Sequence, residues 1–182
     1  MLDEYPKQIE LQDGTKCELR PMKMSDHDAL YRYFISLPER IRKYLRNDVT
    51  NRILIEQWCR KLDYDKLLPI LALEDGKIIG NASLLRVGNG AINHIGEIRI
   101  TFDIEFHKQG LASVLVDEVC DLARQVGYEK LMVKIVSSRE LVIKLFEEKE
   151  FTQIATLKNY VKNIYDNEYR NIIIMEKSFK EF

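Results

Sequence analysis

Apolar and polar residues alternate without a break over 97–106. Ile98, Ile100, Phe102, Ile104 and Phe106 fall on one side, and Glu97, Arg99, Thr101, Asp103 and Glu105 on the other. A period of two predicts a strand with one polar face. Directly afterwards the period changes: Leu111, Leu115, Val119, Leu122 and Val126 recur at spacings of three and four, which predicts an amphipathic helix. Gly127 stands where a left-handed stop is expected. "KLMVKIV" (130–136) then predicts a further strand, so 97–136 reads strand, crossover helix, strand, with parallel pairing and a right-handed crossover.

The flanks fill in around this unit. "KCELRPM" predicts an opening strand, and Ser25 with Asp28 signals a helix start for "DHDALYRYFISL". Pro38 suits the first turn of a second short helix, and Thr50 is a cap for a third, "NRILIEQWCRKL". "LLPILALEDGKIIGNASLLRV" holds two apolar runs around Asp75-Gly76, the signature of a tight antiparallel hairpin. Ser137 with Glu140 forms a capping box for "RELVIKLFEEK", and "FTQIATLKNYV" with "YRNIIIMEKSF" predicts a closing pair of strands. The expectation is one mixed α/β domain over 1–182, with about seven strands, no internal repeat and no linker.

Composition narrows the function classes. With 46% hydrophobic and 31% charged residues, a folded core is expected throughout. A formal net charge of -1 provides no protein-wide field for a phosphate polymer, so nucleic-acid binding would need a local patch. The basic cluster "ERIRKYLR" reads as a solvated helix face, with Ile41, Tyr44 and Leu45 turned inward. No stretch approaches the ~20 apolar residues that span a bilayer and no signal-peptide core opens the chain, so no membrane partner and a cytoplasmic location are expected. Cys17, Cys59 and Cys120, like His27, His94 and His107, lack ligand spacing, and no metal site is expected.

The turn "FHKQGLAS" stands between the polar-faced strand and the amphipathic helix, where ligands bind in strand-turn-helix units. It lacks the three glycines of a dinucleotide fingerprint and the Gly-Lys-Ser/Thr of a P-loop. Two readings stay open: Gly110 merely tightens a βα turn, or the turn lets main-chain amides close on a phosphate group, with Lys108 adding charge.

His107-Lys108-Gln109-Gly110-Leu111-Ala112 resembles the Gln/Arg-x-x-Gly-x-Gly/Ala signature of the GNAT superfamily of acyl-CoA-dependent N-acetyltransferases. The glycine and alanine match, while His107 stands where Gln or Arg is usual. "LASVLVDEVCDLARQVGYEKLMVKI" and "LVIKLFEEKEF" are similar to the helices and strand that follow in the family, so the resemblance covers nearly the whole chain. It implies a mostly antiparallel sheet flanked by helices, in which the parallel fourth and fifth strands splay. It also implies acetyl-CoA as co-substrate, an amine-bearing acceptor and, as in many relatives, a homodimer.

Residue by residue, the resemblance places the CoA pyrophosphate on the amides of Lys108, Gln109, Gly110, Leu111 and Ala112, beside His107 and Ser113. The pantetheine arm would pair with Ile100, Thr101 and Phe102, and Arg139 and Phe146 would border the thioester. Glu97 falls at a general-base position, with an ion pair to Arg99 or a cross-strand cation as the alternative. Phe146 occupies a frequent tyrosine position and cannot donate a proton. Tyr160 and Ser138 are then the candidate hydroxyls, each against an ordinary packing or capping role. Acceptor signals conflict: "ERIRKYLR" favours an acidic molecule, while Tyr160, Tyr165 and Tyr169 with Asp166 and Glu168 favour a cation. The expected activity is direct acetyl transfer to a primary amine, with a non-catalytic acyl-CoA-binding module as the alternative.

Overall fold

A computed structural model describes residues 2–102, 110–163 and 167–180. Eight strands form one sheet: β1 (Lys7–Glu10), β2 (Lys16–Pro21), β3 (Leu67–Glu74), β4 (Lys77–Arg86), β5 (Ile95–Phe102), β6 (Lys130–Val136), β7 (Thr152–Lys162) and β8 (Tyr169–Ser178). Their order across the sheet is β1-β2-β3-β4-β5-β6-β8-β7, and every neighbouring pair is antiparallel except β5 with β6. The expected mixed, mostly antiparallel sheet is present with one strand more than sequence predicts, the short β1.

Helices cover the two faces: α1 (His27–Ser36), α2 (Glu39–Arg42), α3 (Arg52–Arg60), α4 (Leu111–Val126) and α5 (Glu140–Glu148). On one face Leu111, Leu115, Val119 and Leu122 of α4 pack with Ile98 and Phe102 of β5, with Leu131, Val133 and Ile135 of β6, and with Phe146 of α5. Gly80 lets α4 come this close, since a methyl group there would lie 2.9 Å from Leu115 Cδ1. On the other face α1 and α3 pack over Leu71, Leu73 and Ile78, and Phe34 meets Trp58 edge-on at 6.1 Å. The strand alternation that divides apolar from polar side chains on β5 also assigns them to faces: Ile98, Ile100 and Phe102 toward α4, and Glu97, Arg99 and Thr101 toward the α1 side.

Several local signals act through different residues than the sequence suggests. Asn51, not Thr50, caps α3, accepting from the Leu54 N–H at 3.2 Å; Thr50 instead donates its hydroxyl to Asp48. Arg139, not Ser137, occupies the N-cap of α5, and no side chain caps that helix. Ahead of α1 the Asp26 carboxylate accepts from the Lys23 N–H and from two nitrogens of Arg20. The Asp75-Gly76 turn does what its sequence predicts, with φ of 47° and 76° at the two positions. The first hairpin is tied to the back of α4, where Glu118 accepts from Lys7 Nζ at 2.8 Å and from the Tyr5 hydroxyl. Among the described residues no helix is long and apolar enough to cross a membrane, and no group of His, Cys, Asp and Glu could hold a metal ion.

Candidate functional site

The parallel pair closes at one end only. Ile95, Gly96, Glu97 and Ile98 pair with Lys130, Leu131, Met132 and Val133, and there the ladder stops. Beyond it β5 stays with β4, pairing Arg99 with Ser83, Ile100 with Ala82 and Thr101 with Asn81. β6 stays with β8, pairing Lys134 with Ile174 and Val136 with Ile172. Between the diverging limbs, the facing edges of Arg99–Thr101 and of 134–136 have no strand partner among the described residues. Unpaired main-chain donors and acceptors in the middle of a sheet are a docking edge for an extended ligand.

An ion-pair strap sits where the limbs part. Glu97, second from the end of the closed segment, accepts from Arg99 Nε at 2.9 Å on its own strand and from Lys134 Nζ at 2.8 Å across the fork. Its side chain is only 12% exposed. Burial pushes the carboxyl up, but the hydrogen bonds from Lys134 and Arg99 outweigh it and hold the group below the ordinary carboxylate range. Both ion-pair alternatives that the sequence left open for Glu97 are thus realised together.

At the mouth of the slot, α4 begins without a capping side chain. Gly110 precedes it at φ 84°, a left-handed conformation natural to glycine, and its carbonyl accepts from the Val114 N–H at 3.1 Å. The N–H groups of Leu111, Ala112 and Ser113 have no intrahelical acceptor, and the positive end of the helix dipole lies behind them. The side chains of Leu111 and Ala112 are buried in the core, so of these two residues only the main chain remains for contacts outside it. Gln12, in the β1–β2 turn, leans on this spot: a methyl group on Gly110 would come within 3.3 Å of its Cδ and Nε2. His107, Lys108 and Gln109 lie outside the described residues, as do Tyr165 and Asp166.

The remaining candidates separate. Thr101 is 9% exposed, and its Oγ1 is buried with no hydrogen-bond partner among the described residues. Arg139 lies just past the end of β6, half-buried, with no ion pair to a described carboxylate. Burial lowers its guanidinium from the ordinary value, and Tyr33 on α1 is near enough to pull the other way. Phe146 is fully enclosed and meets Phe151 edge-on at 4.9 Å, a core position. Tyr160 is 62% exposed on β7, two strands away from β6. Ser138 is exposed. Sequence reasoning missed Lys134, although a lysine on the polar face of an otherwise apolar strand was a usable signal. It also missed Gln12, for which no local pattern speaks.

The family profile described as the acetyltransferase (GNAT) family matches residues 28–151. No curated protein matches the chain by sequence. Among solved structures, the GNAT domain of S. lividans PAT superposes with a TM-score of 0.78 at 17% identity, covering 94% of this chain and 96% of that one. The ribosomal-protein-S5-alanine acetyltransferase from Vibrio fischeri gives a TM-score of 0.80 at 16% identity, with the same coverage of 94% and 96%. The yncA structure from Salmonella typhimurium, solved with its cofactor acetyl-CoA, gives 0.75 at 16% identity and covers 91% and 95%. At these identities the likeness is one of fold, while the profile spans more than half of the sequence. With a forked parallel pair and an uncapped helix start at its mouth, the chain belongs to the GNAT family of acetyltransferases.

Proposed function

We propose that the protein transfers an acetyl group from acetyl-CoA directly to a primary amine, with both substrates bound at once. The observation that carries this reading is the fork after Ile98 and Val133. A strand in the middle of a sheet ordinarily uses both of its edges, and here the Arg99–Thr101 edge is left for an extended, amide-bearing ligand. The start of α4 fits the other end of such a ligand, because the amides of Gly110, Leu111, Ala112 and Ser113 suit a diphosphate. Bound in this way, acetyl-CoA supplies a thioester carbon that exchanges sulfur for the amine nitrogen, and a thiol of pKa about 8.5 leaves without needing a protein acid.

The chain's own residues then have distinct tasks. Ile100, Thr101 and Phe102 hold the acyl arm along β5, and a main-chain N–H at Thr101 or Phe102 receives the developing negative charge on the carbonyl oxygen. Glu97 is kept ionised by Arg99 and Lys134, which is the form that accepts a proton. The same two cations weaken it as a base. It therefore takes the amine proton through a water, late, once bonding to carbon has acidified the nitrogen. The enclosed Phe146 contributes packing rather than proton transfer.

Titration calorimetry with acetyl-CoA, followed by CoA release against a broad panel of amines, tests the assignment. Binding with release above the blank is expected, and neither binding nor release would refute it. The pinned Glu97 and the apolar Phe146 favour a second reading, an acyl-CoA carrier with little chemistry. Glu97→Gln separates the two: in the transferase kcat falls by roughly 10²- to 10⁴-fold with acetyl-CoA affinity unchanged. In the carrier, residual turnover does not respond.

A further inference from the structure

The ion-pair strap joins three residues in a fixed order about the fork. Glu97 lies opposite Met132 in the next-to-last pair of the parallel ladder, which ends at Ile98 and Val133. Arg99 and Lys134 follow directly, the first residue on either limb to go without a ladder partner across the slot among the described residues. Each stands two positions beyond the Glu97–Met132 pair, and a period of two sets both on the same face as Glu97. The contacts agree: Arg99 Nε donates to Oε1 of Glu97 at 2.9 Å, and Lys134 Nζ donates to Oε2 at 2.8 Å. The carboxylate is held by one oxygen from its own strand and by the other from the opposite limb.

One cation is enough to neutralise a carboxylate this enclosed, and Arg99 supplies it from the same strand. The second adds geometry. A glutamate bonded through one oxygen can still turn about its side-chain torsions, whereas bonds to both oxygens from two strands fix the plane of the group. Lys134 makes no other ion pair with a described acid, and its 41% exposure limits what the pair adds to stability. It lies opposite Ile174 on β8, and its same-face neighbours along β6 are Met132 and Val136. Glu176, diagonal to it on β8, is engaged by Lys130 at 3.1 Å. On β4, Leu85 and Ser83 stand opposite Glu97 and Arg99, so no further charge comes from that strand. We propose that Lys134 is a positioning residue for the transfer, acting through Glu97: from the opposite limb it fixes the carboxylate where the slot opens, in the orientation from which it reaches the amine through a water. This rests on the transferase reading above. Removing the lysine then has two consequences of opposite sign. The carboxylate becomes more basic, because one of the charges favouring its ionised form is gone. It also loses its orientation, and at neutral pH, with Arg99 still keeping it ionised, that loss decides the rate.

The test uses the full chain as wild type, Lys134→Met, Lys134→Arg, Glu97→Gln and the double variant Lys134→Met/Glu97→Gln, with acetyl-CoA and the best acceptor of the amine panel. The Glu97 carboxyl, assigned by its loss from the carbon NMR spectrum of Glu97→Gln, is titrated without turnover. In Lys134→Met it should titrate at a higher pH than in the wild type. In the same variant kcat at neutral pH should fall roughly 10- to 100-fold, with acceptor KM and acetyl-CoA affinity held. Lys134→Arg should recover most of both. In the Glu97→Gln background Lys134→Met should cost little further, since its effect passes through the carboxylate. A kcat that rises in Lys134→Met overturns the proposal, because the lysine would then only weaken the base. So does a matching loss of acetyl-CoA affinity, or an equal loss of rate in the Glu97→Gln background, either of which would make Lys134 a support for the fork rather than for the base. Turnover that responds to Glu97→Gln but not to Lys134→Met sinks the role of Lys134 alone. A wild type that releases no CoA above the blank with any amine sinks the transferase reading, and that role with it.

Discussion

The closed and open halves of β5 carry the same alternation of side chains and meet opposite fates. From Gly96 to Ile98 the strand is paired on both edges and sealed beneath by Leu131, Leu84 and Tyr128 around Gly96. From Arg99 to Thr101 it keeps β4 alone among the described residues, and the buried Thr101 hydroxyl finds no hydrogen-bond partner among them. Three doubly paired residues thus anchor a segment that keeps only one strand partner among the described residues. Pairing concentrates on one side of the fork and open backbone on the other, a division expected wherever a site is held open against the tendency of a sheet to zip.

Substitutions on the two sides should therefore differ in sign as well as size. Ile98→Ala, at the last closed pair and almost wholly buried, should lower unfolding free energy by about 2–5 kcal/mol in urea melts. Gly96→Val should cost about 1–3 kcal/mol, since even the first added carbon would sit 2.9 Å from Leu131 Cδ2. Across the fork the sign should reverse: Thr101→Val should stabilise the ligand-free protein by about 1 kcal/mol, because it removes a buried hydroxyl that has no partner among the described residues. Destabilisation by Thr101→Val would show that this half is as fully satisfied as the other, and would erase the contrast.

The smallest effect lies at the fork itself and depends on pH. The folded-state pKa of Glu97 is below the ordinary 4.5, so the unfolded chain binds its proton more readily. The strap's contribution is present above about pH 4.5 and is lost as acid titrates the folded carboxylate. Glu97→Gln should accordingly flatten the acid limb of the stability curve below that pH and leave its neutral shape alone. An unchanged acid limb would mean that Lys134 and Arg99 do not hold the carboxylate in solution.

Much of this frame is legible in the chain because it depends on local periodicity. The alternation over 97–102, the spacing of Leu111 to Val126 and the left-handed Gly127 at φ 90° follow from side-chain burial and backbone sterics that act within a few residues. The fork follows from neither. The alternation runs unbroken through Ile98 and Arg99, and only the path of β6 decides which edge goes unpaired. β1 is illegible for a related reason: "KQIE" has a single apolar residue and becomes a strand through its register with β2. Caps shifted by one or two residues, to Asn51 and Arg139, because the last residue before a helix is chosen by where tertiary packing starts the turn. Glu97 was readable as a base or as half of an ion pair, but its two simultaneous cations required both strands to be in place.

The leaning of Gln12 on Gly110 also bears on how this molecule should be trimmed. A shortened version beginning near Met22 would retain all of 28–151, the span that carries the family likeness, and would pass for a complete domain. It would lack the Gln12 side chain that leans on Gly110, together with the Lys7 and Tyr5 clasp on the rear of the same helix. The boundary of what is recognisable as kin would then fall inside the boundary of what holds the start of that helix in place.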